Sequence, residues 1–196
     1  MTTMTKLSEL TGDYAVDTVH TRIGFAARHT LGPKVRGQFD QVEGIVHLDG
    51  DDPPRSSAEL TIRATSIQTR NQLRDKHLRS HFLDIDDHPT ATFTSSVVEQ
   101  VGETNFKVTG DLTIRGVTRP VTVDFKLTGA ENDPSSNFRV GFEGSVMINR
   151  KDWGVHRGGI GVLVSKKVTL ELGVAAIRQP LTLSALKKSN QRRKQQ

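Results

Sequence analysis

Cysteine is absent from this chain, which removes disulfide staples, thiolate nucleophiles and zinc–sulfur centres from consideration at once. No apolar run approaches the roughly 18 residues that a membrane-spanning helix needs. The opening residues, Met1 to Asp13, lack the apolar stretch of about 7–15 residues that marks a secretory leader. A soluble, cytoplasmic protein is expected. No repeat of longer period is present, and 196 residues suit one β domain with a single core.

The net charge of +5 is unevenly placed. Residues 179–196 contain Lys187, Lys188, Arg192, Arg193 and Lys194 and no acid. Removing those five from the 27 Lys and Arg leaves 22, against 22 Asp and Glu. The body is neutral, so no overall field draws it to nucleic acid, and the excess belongs to a basic tail expected to be disordered. At most a weak contact of that tail with anionic surfaces is expected, without stable membrane insertion.

What fills the chain is alternation of period two, recurring about eight times. Val19, Thr21, Ile23, Phe25, Ala27 and His29 share one parity. The stretch from Val35 to Leu48 starts with Val35, Gly37 and Phe39 inward, then switches to Val42, Gly44, Val46 and Leu48, as a β-bulge near Asp40 would produce. Further strands are expected over Ala58–Ala64, Ala91–Val97, Phe106–Ile114, Val121–Leu127, Phe138–Ile148 and Val168–Ala176. Arg115 and Gly116 make the short turn of a hairpin. Glycines at 24, 37, 44, 110 and 144 suit the bends of a closed sheet. An all-β fold follows: a barrel is favoured over a sandwich, and its inner face carries Phe25, Phe39, Phe93, Phe106, Phe125 and Phe142. That face fits a filled core or a dry cavity for one elongated ligand equally well.

Between Ser66 and Leu83 the alternation stops. Asn71 can cap a helix there, with Leu73, His77 and Ser80 along one stripe and Leu78 and Phe82 four apart on another. Arg70, Arg74, Asp75, Lys76 and Arg79 take the remaining surface. This short segment over residues 71–83 reads as a lid or as a solvated connection across a barrel corner.

Motifs for chemistry are weak. His77 and His81 have metal-ligand spacing, with Asp75, Asp84 or Asp86 nearby, yet no third ligand stands at a diagnostic distance, so no metal site is assigned. The sequence Asp49-Gly-Asp-Asp lacks the glutamate that closes a calcium loop. Gly141-Phe-Glu-Gly-Ser is not a nucleophile elbow. The glycine-rich stretch from Gly158 lacks the Gly-Lys-Ser/Thr order of a phosphate loop and reads as a turn into the last strand. No catalytic residue and no required cofactor is assigned. His29, at the end of its strand on the apolar parity, is either a satisfied core histidine or a rim contact for a polar head group.

In order, Val16-Asp-Thr-Val-His-Thr-Arg-Ile-Gly-Phe, Val35-Arg-Gly-Gln-Phe, Arg74-Asp-Lys-His-Leu-Arg-Ser, His88-Pro-Thr-Ala-Thr-Phe and Val108-Thr-Gly-Asp-Leu-Thr-Ile-Arg-Gly-Val-Thr resemble the YceI-like family from about Tyr14 to Ile177. The resemblance implies an extended, eight-stranded, antiparallel lipocalin-like barrel over residues 14–178, between a disordered segment 1–13 and the tail 179–196. It implies a homodimer that binds a polyisoprenoid, quinone or similar amphiphilic lipid in an elongated tunnel. Ile23, Phe25, Phe39, Leu60, Ile62, Phe93, Leu112, Phe125 and Phe142 then become lining candidates, Leu73, Leu78 and Phe82 close the tunnel from the helix, and His29, Asn71, Arg74 and His77 stand near the head group.

Three functions remain open at this level. One is lipid carriage or sequestration without catalysis. Another is an enzyme acting on a lipid head group through His29, His77 and Asp75. The last is a stress-related interaction protein recruiting partners through its tail.

Overall fold

The computed structural model describes residues 6–29, 32–156 and 164–180. Eleven strands are present among them: β1 (Gly12–Val16), β2 (Arg22–His29), β3 (Lys34–Phe39), β4 (Val42–Leu48), β5 (Ser57–Arg63), β6 (Ile67–Gln68), β7 (Thr90–Gln100), β8 (Asn105–Ile114), β9 (Val117–Asn132), β10 (Phe138–Asn149) and β11 (Val164–Arg178). Every pairing is antiparallel. β1, β4, β5, β7, β8, β9, β10 and β11 follow one another, and β11 returns to β1, so eight strands close a barrel. Closure removes most of the free edge through which such a sheet could aggregate. β2, β3 and β6 extend one wall beyond it, pairing in that order from β11.

β1 and β2 run in line along the unbroken β11, separated by residues 17–21. At this break the Thr21 hydroxyl takes a backbone partner's place: it accepts from the Ala175 amide and donates to the Ala175 carbonyl, both at 3.0 Å. The next two strand pairs break at matching positions, β3 from β4 at Asp40 and Gln41, and β5 from β6 at Ala64–Ser66. The parity switch near Asp40 is therefore a division into two strands with different neighbours, not a one-residue bulge. Val19 lies in the first break and is 82% exposed, so the inward parity of the first strand starts at Ile23.

Two further expectations change. A register shift between Ser95 and Val97 turns Val97 outward and puts Val98 in the core. At the N-terminus, Leu7–Leu10 form one 3-10 turn whose Leu10 is buried, so this part of the expected disordered segment belongs to the folded body. The Leu10 carbonyl accepts from the Tyr14 hydroxyl at 2.7 Å. Residues 1–5 and, in the expected tail, 181–196 lie outside the described residues, as does 157–163, where most of the glycine-rich turn falls.

The β8–β9 hairpin closes through Arg115 (φ 51°) and Gly116 (φ 71°), with Ile114 opposite Val117. Two positive φ values in a two-residue loop define the turn whose twist matches its strands. Pro120 lies where β9 pairs with β8 alone, because the β10 ladder covers only Asp124–Asn132 of β9. A missing amide is harmless at such an edge. The gap is covered by the turn Arg150–Trp153, whose Trp153 indole donates to the Leu112 carbonyl at 2.9 Å.

On the outer face, small residues Gly24 and Ala26 of β2 sit beneath an ion pair, Arg36 of β3 to Glu171 of β11 at 3.2 Å. No helix among the described residues is long and apolar enough to cross a membrane.

Candidate functional site

The helical interruption fills the space between β6 and β7: the chain leaves the wall at Thr69 and returns at Thr90. Helix α1 (Gln72–His77) starts at Asn71, whose side chain accepts from the Arg74 amide at 2.9 Å, and runs into a π-helical turn, Leu78–Leu83, stopped by Asp84 at φ 54°. Asp75 does not take the outer surface, as its charge suggests, but is buried. Its carboxylate accepts from the amide and hydroxyl of Thr69, at 2.8 and 2.5 Å. Arg74 donates to the same threonine's hydroxyl and carbonyl, and Arg79 to the Ile67 carbonyl. A helix with few apolar contacts is thus pinned by charge-assisted bonds to the strand before it.

Behind this cover the barrel is hollow. An upper chamber of about 560 Å³ lies under α1, and a lower one of about 160 Å³ continues toward the N-terminal turn. Ile23, Ile62, Leu112 and Leu170 line both, so they form the waist at which the two chambers adjoin. The lower chamber takes Leu60, Phe93, Phe125 and Phe142 of the expected lining; the upper takes Phe25, Phe39, Leu78 and Phe82. His29, Asn71, Leu73, Arg74 and His77 line the upper chamber at its helical end. The far end is lined by Leu7, Leu10 and Pro53. The total is within the usual range for small-molecule sites.

The glycines explain why rings and space coexist. A Cβ on Gly37 would come within 2.4 Å of the Phe25 ring, one on Gly110 within 2.5 Å of Phe93, and one on Gly144 within 2.7 Å of Phe125. In register, Gly37 faces Phe25 and Gly144 faces Phe125. The rings lie flat over bare backbone of the neighbouring strand rather than standing in the lumen. These glycines therefore serve close approach, where the sequence suggested bends.

The polar end also holds His88, Arg115 and Arg150, which were not among the site residues expected from the sequence. Arg150 is buried, and its guanidinium donates to the carbonyls of Ser165, Val155 and Val164. Burial pulls its pKa below the ordinary arginine value. It continues the inward parity of Val146 and Ile148 by one step, the signal that was there to read. Arg115 donates to the Gly154 carbonyl at 2.5 Å and to Asp84 at 3.4 Å.

Asp75 is committed to Thr69 and makes no hydrogen bond to His29 or His77. His77 and His81 stack edge-on with centroids 5.3 Å apart, and no group of three His, Cys, Asp or Glu among the described residues is placed to hold a metal. Asp49 accepts from the Asp52 amide in an ordinary turn.

The YceI-like domain model matches residues 14–176. The chain belongs to the YceI-like family. A UPF0312 protein of Pseudomonas paraeruginosa is 39% identical over 173 residues, 87% of this chain and 89% of its own length. Among solved structures, BcnA of Burkholderia cenocepacia superposes with a TM-score of 0.74 at 22% identity, over 82% of this chain and 98% of its own. A polyisoprenoid binding domain from Saccharophagus degradans, implicated in plant cell wall breakdown, gives 0.68 at 18% identity, over 85% of this chain and 98% of its own. These likenesses establish the YceI barrel as the fold.

Proposed function

We propose that this YceI-like barrel binds one elongated amphiphilic lipid, of polyisoprenoid or quinone type, and carries or sequesters it without chemical change. The observation that carries this reading is the tunnel's polarity: an apolar surface through the waist and lower chamber as far as Leu10, and polar side chains gathered under α1. The apolar tail passes the waist and the head group stays beside His29, Asn71, Arg74 and His77. Support from relatives comes from the family and from the S. degradans domain of the same fold.

Burial supplies the energy. Each five-carbon isoprene unit contributes a gross ~4 kcal/mol at about 0.8 kcal/mol per CH₂. Ordering the chain offsets part of this, because affinities stop near ~20 kcal/mol. Selectivity for chain length is then shallow until the ligand reaches the far end at Leu10. Catalysis draws no support from the polar end, where Asp75, Arg74 and Arg150 are all held in structural hydrogen bonds.

The test is displacement of an environment-sensitive apolar dye from delipidated protein by prenols and quinones of graded length. One-to-one displacement is expected, with affinity rising with length and then levelling. Failure of every amphiphile to displace dye, or no uptake of dye at all, contradicts the proposal.

A further inference from the structure

We propose that the α1 end of the barrel is a docking surface for an anionic bilayer, with Leu73 as the side chain that enters it. Leu73 is an apolar residue on a polar helix, 69% exposed, and also part of the upper-chamber wall. Unlike the other exposed apolar side chains (Val19, Ile45, Val97, Val101 and Met147), Leu73 borders both the chamber and solvent.

Charge around it is one-sided. Arg70 and Lys76 flank Leu73 on the same excursion; Arg28 and Lys34 stand at the adjoining ends of β2 and β3, and Lys166 and Lys167 at the start of β11. All six are exposed and none forms an ion pair among the described residues. The acids of this end are fewer: Asp75 and Asp84 are engaged by Thr69 and Arg115, leaving Asp86, Asp87 and Asp152 exposed. The opposite end carries exposed Glu9, Asp51, Asp52, Glu99 and Glu103 against Lys6, with Arg55 paired to Asp49. The near-neutral body read from composition is in fact polarised along the barrel axis, and a polarised body orients itself at a charged surface.

A bilayer fits both features together. Anionic lipid head groups attract clustered Lys and Arg, and the layer below them accepts Leu73. Nucleic acid would satisfy the cations and leave Leu73 in water. The purpose of docking, transfer of cargo without crossing water, rests on the proposed lipid binding; the docking itself does not.

The full chain is mixed with phosphatidylcholine vesicles with and without phosphatidylglycerol, and partition is measured by co-flotation. Arg70→Glu with Lys76→Glu is compared with Lys107→Glu with Lys126→Glu, an equal charge change on the outer wall away from α1. The rim pair is expected to lower partition to anionic vesicles about 30-fold or more, the control pair far less. In Leu73→Trp a blue shift is expected only with anionic vesicles. Equal losses in both pairs would assign binding to net charge or to residues 181–196 and overturn the proposal. So would an unshifted reporter, a shift that grows with protein concentration without vesicles, indicating a second copy, or capture of a short RNA in place of vesicles. Dye displacement in the same preparation reports cargo binding separately, so the two readings fail independently.

Discussion

The guanidinium of Arg150 stands 5.8 Å from the ring centroid of Phe82, joining the turn after β10 to the helical cover above the tunnel. Arg150 also holds the carbonyls of Val155 and Val164, on either side of residues 157–163. One side chain thus ties the cover, the β10–β11 connection and the chamber wall together. Replacing it by Met leaves three part-buried carbonyls short of a donor, and a loss of about 3 kcal/mol in urea unfolding is expected. In a double-mutant cycle with Phe82→Leu, a coupling of about 1 kcal/mol is expected from the cation–π contact. Additive effects would show that the two residues do not communicate.

A methyl group at Gly110 has to displace the Phe93 ring and approaches the Thr94 carbonyl to 2.5 Å. Gly110→Ala is expected to cost about 1–3 kcal/mol by overpacking and to push the ring into the lower chamber. Long amphiphiles then lose more affinity than short ones. Gly129→Ala, where a Cβ meets nothing within 4 Å, serves as the control and should bind as the native protein does.

The waist sets the reach of a ligand. Ile62→Trp would fill the passage between the chambers and should level affinity at a shorter chain length, measured by dye displacement across a prenol series. Unchanged length dependence would mean that the ligand never passes Ile62.

Much of this was legible in the alternation. Every strand except β1 and β6 overlaps an alternating segment, with β3 and β4 read as one bulged strand, and the two-residue hairpin and the Asn71 cap are local patterns too. The interruptions at 17–21, 40–41 and 64–66 were not, because each is defined by the strand beside it: Thr21 completes the ladder only through Ala175, at a sequence distance of 154. β1 is five residues long and paired only with remote segments, β4 and β11, so its own pattern was too brief to stand out. Parity also found the tunnel walls but could not separate a filled core from a hollow one. That difference lies in which ring faces which glycine across two strands.

Acid should act first at the break between β1 and β2. Burial alone would raise the Asp17 carboxyl, but its bonds from His20 and the Val19 amide and the charge of Arg139 outweigh this and hold it below the ordinary value. Asp133 is lowered chiefly by the Asn137 amide, with Arg139 adding to it. Arg139 reaches both carboxylates, at 3.1 and 3.0 Å. Because these groups take up protons later in the folded chain than in the unfolded one, their stabilisation is present above a pH of about 4 and lost as pH falls through their folded values. Arg139→Gln should lower stability at neutral pH and flatten its decline in acid, followed by thermal unfolding across pH. An unaltered acid limb would place the titrating groups elsewhere.

The central claim is that the tunnel holds a lipid. Native mass spectrometry of protein purified from its own source, with organic extraction of the same sample, tests it most directly. A single adduct of isoprenoid or quinone character is predicted, diminished in Ile62→Trp. Ligand-free protein, together with an experimental structure whose tunnel is filled by its own side chains, would contradict it.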